Sequence, residues 1–211
     1  AFDGRTGDKV VIEADEVIED DLYVTADEFT LEGTIKGDLI VFANTVYING
    51  TVNGDLIAAG NTIVINGTVT DDVRVAAAAI QFGEKAVTSG DVIAASASLE
   101  TKTGGSIEGD VVYAGAQALL AGSVGDDLKV AVSGLEVRGE IGGDVIAEVA
   151  DPQEGAPSPA MYINEVKVAI PTVNPGLTLG DEAKINGSLT YTQSADINIP
   201  DGVVSGEITR N

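Results

Sequence analysis

A repeat of 17 residues is the feature that most constrains what this chain can fold into. An Asp followed by an apolar residue recurs along most of the sequence, with spacings of 17 residues except for two of 19. The repeated residues are Asp21, Asp38, Asp55, Asp72, Asp91, Asp110, Asp127 and Asp144. A period of this length is typical of solenoids, in which each repeat stacks on its neighbours.

Apolar residues hold fixed positions in every repeat. The unit from Gly37 to Asn53 contains three short alternating segments separated by Gly and Asn corners. Such a unit is too short for a helix, a strand and two turns, whereas three strands of about four residues at ~3.3 Å per residue close a triangular coil. We therefore predict an all-β fold: a single-domain parallel β-helix (β-solenoid) over residues 1–211, with about 10 turns.

Two kinds of irregularity interrupt the repeat. The extra residues of the two 19-residue turns fall at 83–90 and 102–109, where corner loops leave the stack undisturbed. The register fails after Asp144, and residues 151–171 are predicted to form a Pro-rich excursion, because Pro cannot donate to a β-ladder. Alternation over 161–170 indicates a possible strand there, and coils resume at Leu177 and Leu179.

Composition excludes several classes of protein. The 211 residues carry a formal net charge of −23, which disfavours binding to nucleic acid and to anionic lipid surfaces. Hydrophobic residues make up 44% of the chain, too many for an acidic disordered protein. No apolar run approaches the roughly 18 residues of a membrane span. The start at Ala1 leads us to expect a mature protein from which a signal peptide has been removed.

The recurring block Gly-Asp-Leu-Ile…Val-x-Ile-Asn-Gly-Thr-Val-x-Gly-Asp, at 37–55 and 54–72, resembles the bactofilin-like, polymer-forming cytoskeletal family. The resemblance extends over about 16–150 and, more loosely, 177–210. It implies a right-handed triangular β-helix that polymerises end to end without nucleotide. Extracytoplasmic relatives in that family often carry a signal peptide, which implies an extracellular or cell-surface location in a bacterium.

The repeated Asp residues form the first candidate site. Carboxylates ~4.8 Å apart at one corner would repel by about 1 kcal/mol per pair in water, and Ca²⁺ could relieve that repulsion. The favoured alternative is that each Asp accepts hydrogen bonds from its own turn. The candidate cation ladder is Asp38, Asp55, Asp72, Asp91, Asp110, Asp127 and Asp144. The nearby Asn-Gly corners are attributed to turns with positive φ.

Catalysis is not expected. The chain has no His and no Cys, so the common general base, the thiol nucleophile and the usual transition-metal ligands are missing. Carboxylate pairs are frequent, but the loops at the corners are very short. Only 151–171 is long enough to form the wall of an active-site cleft. We therefore predict a protein that is not an enzyme and needs no cofactor, with Ca²⁺ at the Asp ladder as the less favoured alternative.

The outward face of the first strand of each turn is unusually apolar. Exposed apolar surfaces of this extent mark association sites. We predict a subunit interface there, and the alternative is that 151–171 folds back over this face as a cover. The predicted interface residues are Tyr23, Ile40, Phe42, Ile57, Ala59, Ile93, Val112 and Ile146.

These observations favour a structural protein that self-assembles by end-to-end stacking into an extracellular or cell-surface filament, with copies of itself as its partners. A monomeric surface adhesin or polysaccharide-binding module is the alternative, and a groove with Tyr162 or Tyr191 would favour it. A third hypothesis is a cation-responsive assembly built on the Asp ladder.

Overall fold

The computed structural model describes residues 3–151, 163 and 165–211, and these form a parallel β-solenoid without helices. Each turn has three legs. In the turn that begins at Asp38, strand β5 (Leu39–Ile48) covers the first two legs and β6 (Thr51–Val52) forms the third. The predicted fold class and repeat length are confirmed.

Six strands run through both of the first two legs: β1 (Asp3–Ile12), β3 (Leu22–Leu31), β5, β10 (Val73–Phe82), β12 (Val92–Thr101) and β14 (Val111–Leu120). In other turns these legs are separate strands: β7 (Leu56–Ala59), β8 (Thr62–Ile65), β16 (Leu128–Val132), β17 (Gly134–Val137), β19 (Val145–Val149), β20 (Gly176–Leu179), β22 (Leu189–Thr192) and β23 (Ile208–Arg210). The third legs are two-residue strands: β2 (Val17–Ile18), β4 (Thr34–Ile35), β6, β9 (Thr68–Val69), β11 (Val87–Thr88), β13 (Ser106–Ile107), β15 (Ser123–Val124), β18 (Glu140–Ile141) and β21 (Lys184–Ile185).

Successive turns pair in parallel and in register. Leu39 lies opposite Leu56, and Val73 lies opposite Val92 across a 19-residue turn. The first and second legs together form a 14-stranded sheet, and the third legs form a 9-stranded sheet. Eleven first-leg strands follow one another from β1 to β23, slightly more than the ten turns predicted, because β1 forms a turn before Asp21.

The core is a set of apolar ladders inside the coil. Leu22, Leu39 and Leu56 stack on one another in the first leg, and all are fully buried. Ile35 and Val52 form the matching ladder of the third leg. Burying each such side chain contributes about 1.5–3 kcal/mol, so the stack itself holds the short strands in place.

The two corner insertions lie where the sequence predicts them. They form exposed turns at Glu84–Lys85 and Thr103–Gly104, between the second and third legs. Gly104 has a φ of 97°, which favours glycine. The strands on either side remain in register, since Val87 still pairs with Ser106.

The excursion is inserted at one corner of the solenoid. The chain leaves after Val149, at the end of β19, and returns at Gly176, which pairs with Gly134. The possible strand over 161–170 is wrong for residues 163 and 165–170, which are irregular, while 161, 162 and 164 lie outside the described residues.

The Asn-Gly corners require glycine for a reason other than the one predicted. Gly50 and Gly67 do not have positive φ, so the prediction of such turns is wrong. Instead, a Cβ on Gly67 would collide with the carbonyl oxygen of Gly50, one turn earlier. Close stacking of backbones therefore selects glycine here, while Asn66 donates to Asn49 across the same step at 2.9 Å.

Candidate functional site: the aspartate ladder, the outer faces and the ends

The repeated Asp residues form a hydrogen-bonded ladder along one corner. The Oδ1 atom of Asp38 accepts from the backbone N–H of Asp55 at 2.9 Å, and Asp55 in turn accepts from Asp72 at 3.1 Å. The same bond continues to the end of the ladder, where Asp144 accepts from the N–H of Ser188 at 2.7 Å. Each Asp thus accepts a backbone hydrogen bond, as expected, but the prediction that the donor lies in the same turn is wrong, because it lies in the next turn.

This ladder explains the recurring Gly-Asp pair. A Cβ on Gly54 would meet the Oδ1 atom of Asp38 and would lie 2.8 Å from the carbonyl oxygen of Gly37. Gly109 stands in the same relation to Asp91. The Asp of one turn therefore occupies the space that the glycine of the next turn leaves open, and the two residues form one unit across the step.

An arginine of the chain neutralises part of the negative charge of the ladder. Arg74 donates to Asp55 at 2.7 Å and to Asp72 at 2.6 Å. Both contacts use the Oδ2 atoms, whereas Oδ1 is engaged in the backbone ladder. Asp55, Asp71 and Asp72 lie close enough together to hold a metal ion. Cation binding by the ladder remains a prediction.

The outer face of the first legs is apolar and exposed. Of the predicted interface residues, Phe42 is 54% exposed and Ile93 is 52% exposed, while Ile40 and Ala59 are half-buried. The others, Tyr23, Ile57, Val112 and Ile146, are exposed as well. The central part forms a shallow groove lined by Ile57, Ile93, Val112 and Ile146 and by the neighbouring Ala side chains. We call this surface, formed by the outward first-leg side chains of β5 to β19, the apolar face.

The described part of the excursion does not cover the apolar face. The backbone N–H of Lys167 donates to Thr62 at 3.0 Å, and the side chain of Gln117 donates to the carbonyl oxygen of Pro171 at 2.6 Å. Thr62 and Gln117 are outward residues of the second leg. Val168 and Ile170 lie near Ala79, also on that leg. For residues 167–171 the alternative that the excursion covers the first-leg face is therefore wrong, and 152–162 and 164 lie outside the described residues.

This position explains polar side chains buried outside the coil. Thr62 is fully buried, and Ser98 and Gln117 are each 2% exposed although they point away from the core. Gln117 donates to Ser98 at 3.0 Å as well as to Pro171. Sequence reasoning missed this second covered face, although its unusual mixture of Thr, Ser, Gln and Ala was a visible signal.

The first turn ends the solenoid with polar side chains in positions that are apolar elsewhere. Asp3 pairs with Leu22 and Arg5 pairs with Val24, so both stand at inward register positions. Arg5 donates to Asp3 at 3.2 Å and to Glu16 at 2.9 Å, and these hydrogen bonds raise the pKa of its guanidinium. The outer edge of β1, which no described strand pairs with, therefore lies next to an ion-paired corner.

The last turn has a related arrangement. Arg210 pairs in register with Tyr191, at the same inward position as Arg5 in the first turn, and is ion-paired with Asp196. Gln193 covers part of the second-leg strand β20, because its side-chain oxygen accepts a hydrogen bond from the N–H of Leu177 at 2.9 Å. Among the described strands, β23 (Ile208–Arg210) alone extends the large sheet beyond β22 at this end. The sequence patterns did not predict that Arg5 and Arg210 occupy equivalent positions at the two ends.

Residues 10–112 match the family model described as Bactofilin: polymer-forming cytoskeletal. This stretch is therefore similar to bactofilins, and the β-solenoid of the whole described chain is consistent with a bactofilin-like β-helix. Comparison with curated proteins and with solved structures gives no match.

The bactofilin-like match supports a polymer-forming structural protein that assembles with itself. A family of this kind is consistent with the expectation that the protein is not an enzyme. Within the part of the chain that the structure describes, no helix is long and apolar enough to cross a membrane.

Proposed function

We propose that this protein is the structural subunit of an extracellular or cell-surface filament of a bacterium, in which subunits stack end to end. One observation carries the proposal: β1 is a ten-residue strand that pairs with β3 on one side, and no described strand pairs with its other edge. An exposed parallel edge of this length is a template for pairing with another chain.

The two ends differ, which determines the type of polymer. One end is β1, and the other is the three-residue strand β23 beside the segment that contains Gln193. A contact between unlike surfaces is heterologous, and when its rotation does not close it generates an open filament. Stacking β23 of one subunit on β1 of the next continues the large sheet.

Charged groups at the ends suit this contact. In-register continuation places Arg210 of one subunit beside Arg5 of the next, together with the carboxylates of Asp3, Glu16 and Asp196. Two guanidinium groups among three carboxylates form a mixed network that aligns the subunits. The filament should consequently be sensitive to salt, since screening weakens partly exposed ion pairs.

The cell-surface location rests on charge and on the resemblance to extracytoplasmic relatives. A chain with a net charge of −23 and an acidic corner suits an environment rich in divalent cations, where extracellular modules bind Ca²⁺ at about 10⁻⁴–10⁻³ M. Antibody labelling of intact cells tests the location, and label that appears only after permeabilisation would contradict it.

Electron microscopy of the purified protein with an end variant tests the stacking. Arg5→Glu should abolish filaments, because it replaces the guanidinium with a carboxylate next to Asp3 and Glu16. Lys9→Glu is the matched control: it lies on the same strand with the same change of charge, but its side chain pairs with Glu28 and is 65% exposed. Circular dichroism confirms folding of both variants. Monodisperse monomers of the unmodified protein at high concentration would refute the proposal.

The alternative of a monomeric adhesin loses one of its supports. Tyr191 is 5% exposed and lies in the core, so its ring is not available to stack on a sugar. Tyr162 lies outside the described residues. Binding of a glycan array by the monomer would favour this alternative over the filament.

A further inference from the structure

The apolar face has a shape that fits a second copy of itself. Its outward side chains form two columns that run along the rod. One column is a ridge of Ile40, Ile57, Ile93, Val112 and Ile146 together with Arg74 and Lys129. The other is a trough of Ala59, Ala76, Ala95, Ala114 and Ala131, bounded by Phe42 at one end and Glu148 at the other. When a second copy is turned to face the first, the ridge of branched side chains on one copy can fit into the trough of methyl groups on the other.

The direction of pairing follows from simple symmetry. A twofold axis parallel to the rod exchanges left and right but keeps the order of turns, so the ridge of one copy lies in the trough of the other. A twofold axis along the strands would instead place ridge on ridge and trough on trough. The complementary arrangement is therefore the one in which both rods point in the same direction.

Charged residues of the face support the same arrangement. Arg74 is already ion-paired with Asp55 and Asp72. Lys129, on the ridge, and Glu148, on the trough side one turn later, are exposed, and neither forms an ion pair with a described residue. In the parallel pair, Lys129 of each copy faces Ala131 of the other, one step of ~4.8 Å from the partner's Glu148. Two ion pairs are thus expected per dimer.

The available area is sufficient. Seven turns, from that of Ile40 to that of Ile146, at ~4.8 Å per turn and a leg of five residues at ~3.3 Å give a surface of about 550 Å² per copy. The total of about 1,100 Å² exceeds the roughly 1,000 Å² expected of a specific interface. In a filament the contact would repeat with every subunit, which strengthens it further by avidity.

We propose that the apolar face pairs two copies of this chain side by side and in parallel, with ridge in trough and Lys129 of each copy beside Glu148 of the other. This pairing goes beyond the end-to-end stacking proposed above and does not depend on it. Combined with end stacking, it yields a filament of two strands with the same polarity.

A charge exchange tests the pairing on the full chain. Below the concentration at which filaments form, mass photometry should show dimers. Lys129→Glu should weaken the dimer about tenfold by placing two like charges together, and adding Glu148→Lys should restore it to within about threefold. Lys36→Glu is the matched control, because Lys36 is exposed and pairs with Glu19 away from this face. It should leave the dimer unchanged.

A second variant addresses packing. Ala95→Glu fills the trough with a charged side chain at an exposed position, which the monomer tolerates, and should abolish the dimer. Cryo-electron microscopy of filaments should then show single strands in place of double strands.

The outcomes separate the two proposals. Dimers without filaments contradict end stacking and leave the lateral pairing intact. Single-stranded filaments or monomers of the unmodified protein overturn the lateral pairing. A charge exchange that fails to restore the dimer, or a monomer that binds neutral phospholipid vesicles through Ile93 and Val112, also overturns it.

Discussion

Thr88 provides a sharp test of how the solenoid core is built. It stands at the inward position of the third leg, between Val69 and Ile107 in the neighbouring turns. Its side chain is fully buried, and its hydroxyl oxygen is the one buried side-chain oxygen or nitrogen among the described residues without a hydrogen-bond partner. Valine has the same shape without the hydroxyl. Thr88→Val should therefore stabilise the protein.

The magnitude follows from the environment. A buried polar group without a partner costs about 1–3 kcal/mol, so its replacement by a methyl group should raise the free energy of unfolding by about 1–2 kcal/mol. For a domain of this size, each kcal/mol corresponds to about 2–4 °C in Tm. We expect an increase in Tm of about 2–8 °C.

Thermal unfolding followed by circular dichroism measures the effect. All variants must be compared in the same assembly state, because association raises the apparent Tm. Thr68→Val is the matched control. Thr68 lies on the third leg one turn before Val87, with which it pairs, but its side chain is half-buried and points outward. It should change stability by less than about 0.5 kcal/mol. Thr88→Ser, which keeps the hydroxyl and removes the methyl group, should destabilise by about 1 kcal/mol. A Thr88→Val variant that is no more stable than the parent would refute the reasoning.

Three further predictions follow. Gly54→Ala should destabilise by about 2–4 kcal/mol in the same assay, because its Cβ would meet Asp38, whereas Gly4→Ala, with open space around it, should be nearly neutral. Burial raises the pKa of Tyr113 to about 12, so the folded state should lose stability on the order of 2–3 kcal/mol as pH rises from about 10 to 12. Tyr113→Phe should remove that loss. If the variant shows the same decrease of stability with pH as the parent, the assignment to Tyr113 is wrong. If Ca²⁺ binds the Asp ladder, millimolar Ca²⁺ should raise Tm and EDTA should reverse the rise, and the absence of both effects would eliminate the cation-responsive assembly.

The sequence predicted the parts of the fold that repeat. The Asp spacing determined the number of residues per turn, and the inward positions followed because every turn buries the same three legs. The ladder between Leu39 and Leu56 needed no more than this periodicity. The corner insertions were equally visible, since the strands on both sides of Glu84–Lys85 keep their apolar pattern.

Features that do not repeat were beyond this reasoning. Residues 167–171 lie on the second leg because Gln117 and Thr62 each form one hydrogen bond with their backbone, and the repeat does not predict such contacts. The role of the Gly-Asp pair was also hidden, because the hydrogen bond joins residues in successive turns and periodicity alone does not show its donor. Arg5 was unexpected because the first turn departs from the repeat at the positions that terminate the core.

The distribution of charge connects the apolar face to the acidity of the whole chain. Among the outward residues of the first legs from β5 to β19, only Arg74, Lys129 and Glu148 are charged, although the protein carries 34 acidic residues. Exposed carboxylates such as Glu108 and Glu140 lie instead on the third legs and their corners. Copies that approach through those surfaces repel one another, whereas copies that approach through the first legs meet an apolar surface. The same charge that keeps the rods apart in other orientations therefore favours approach through the apolar face.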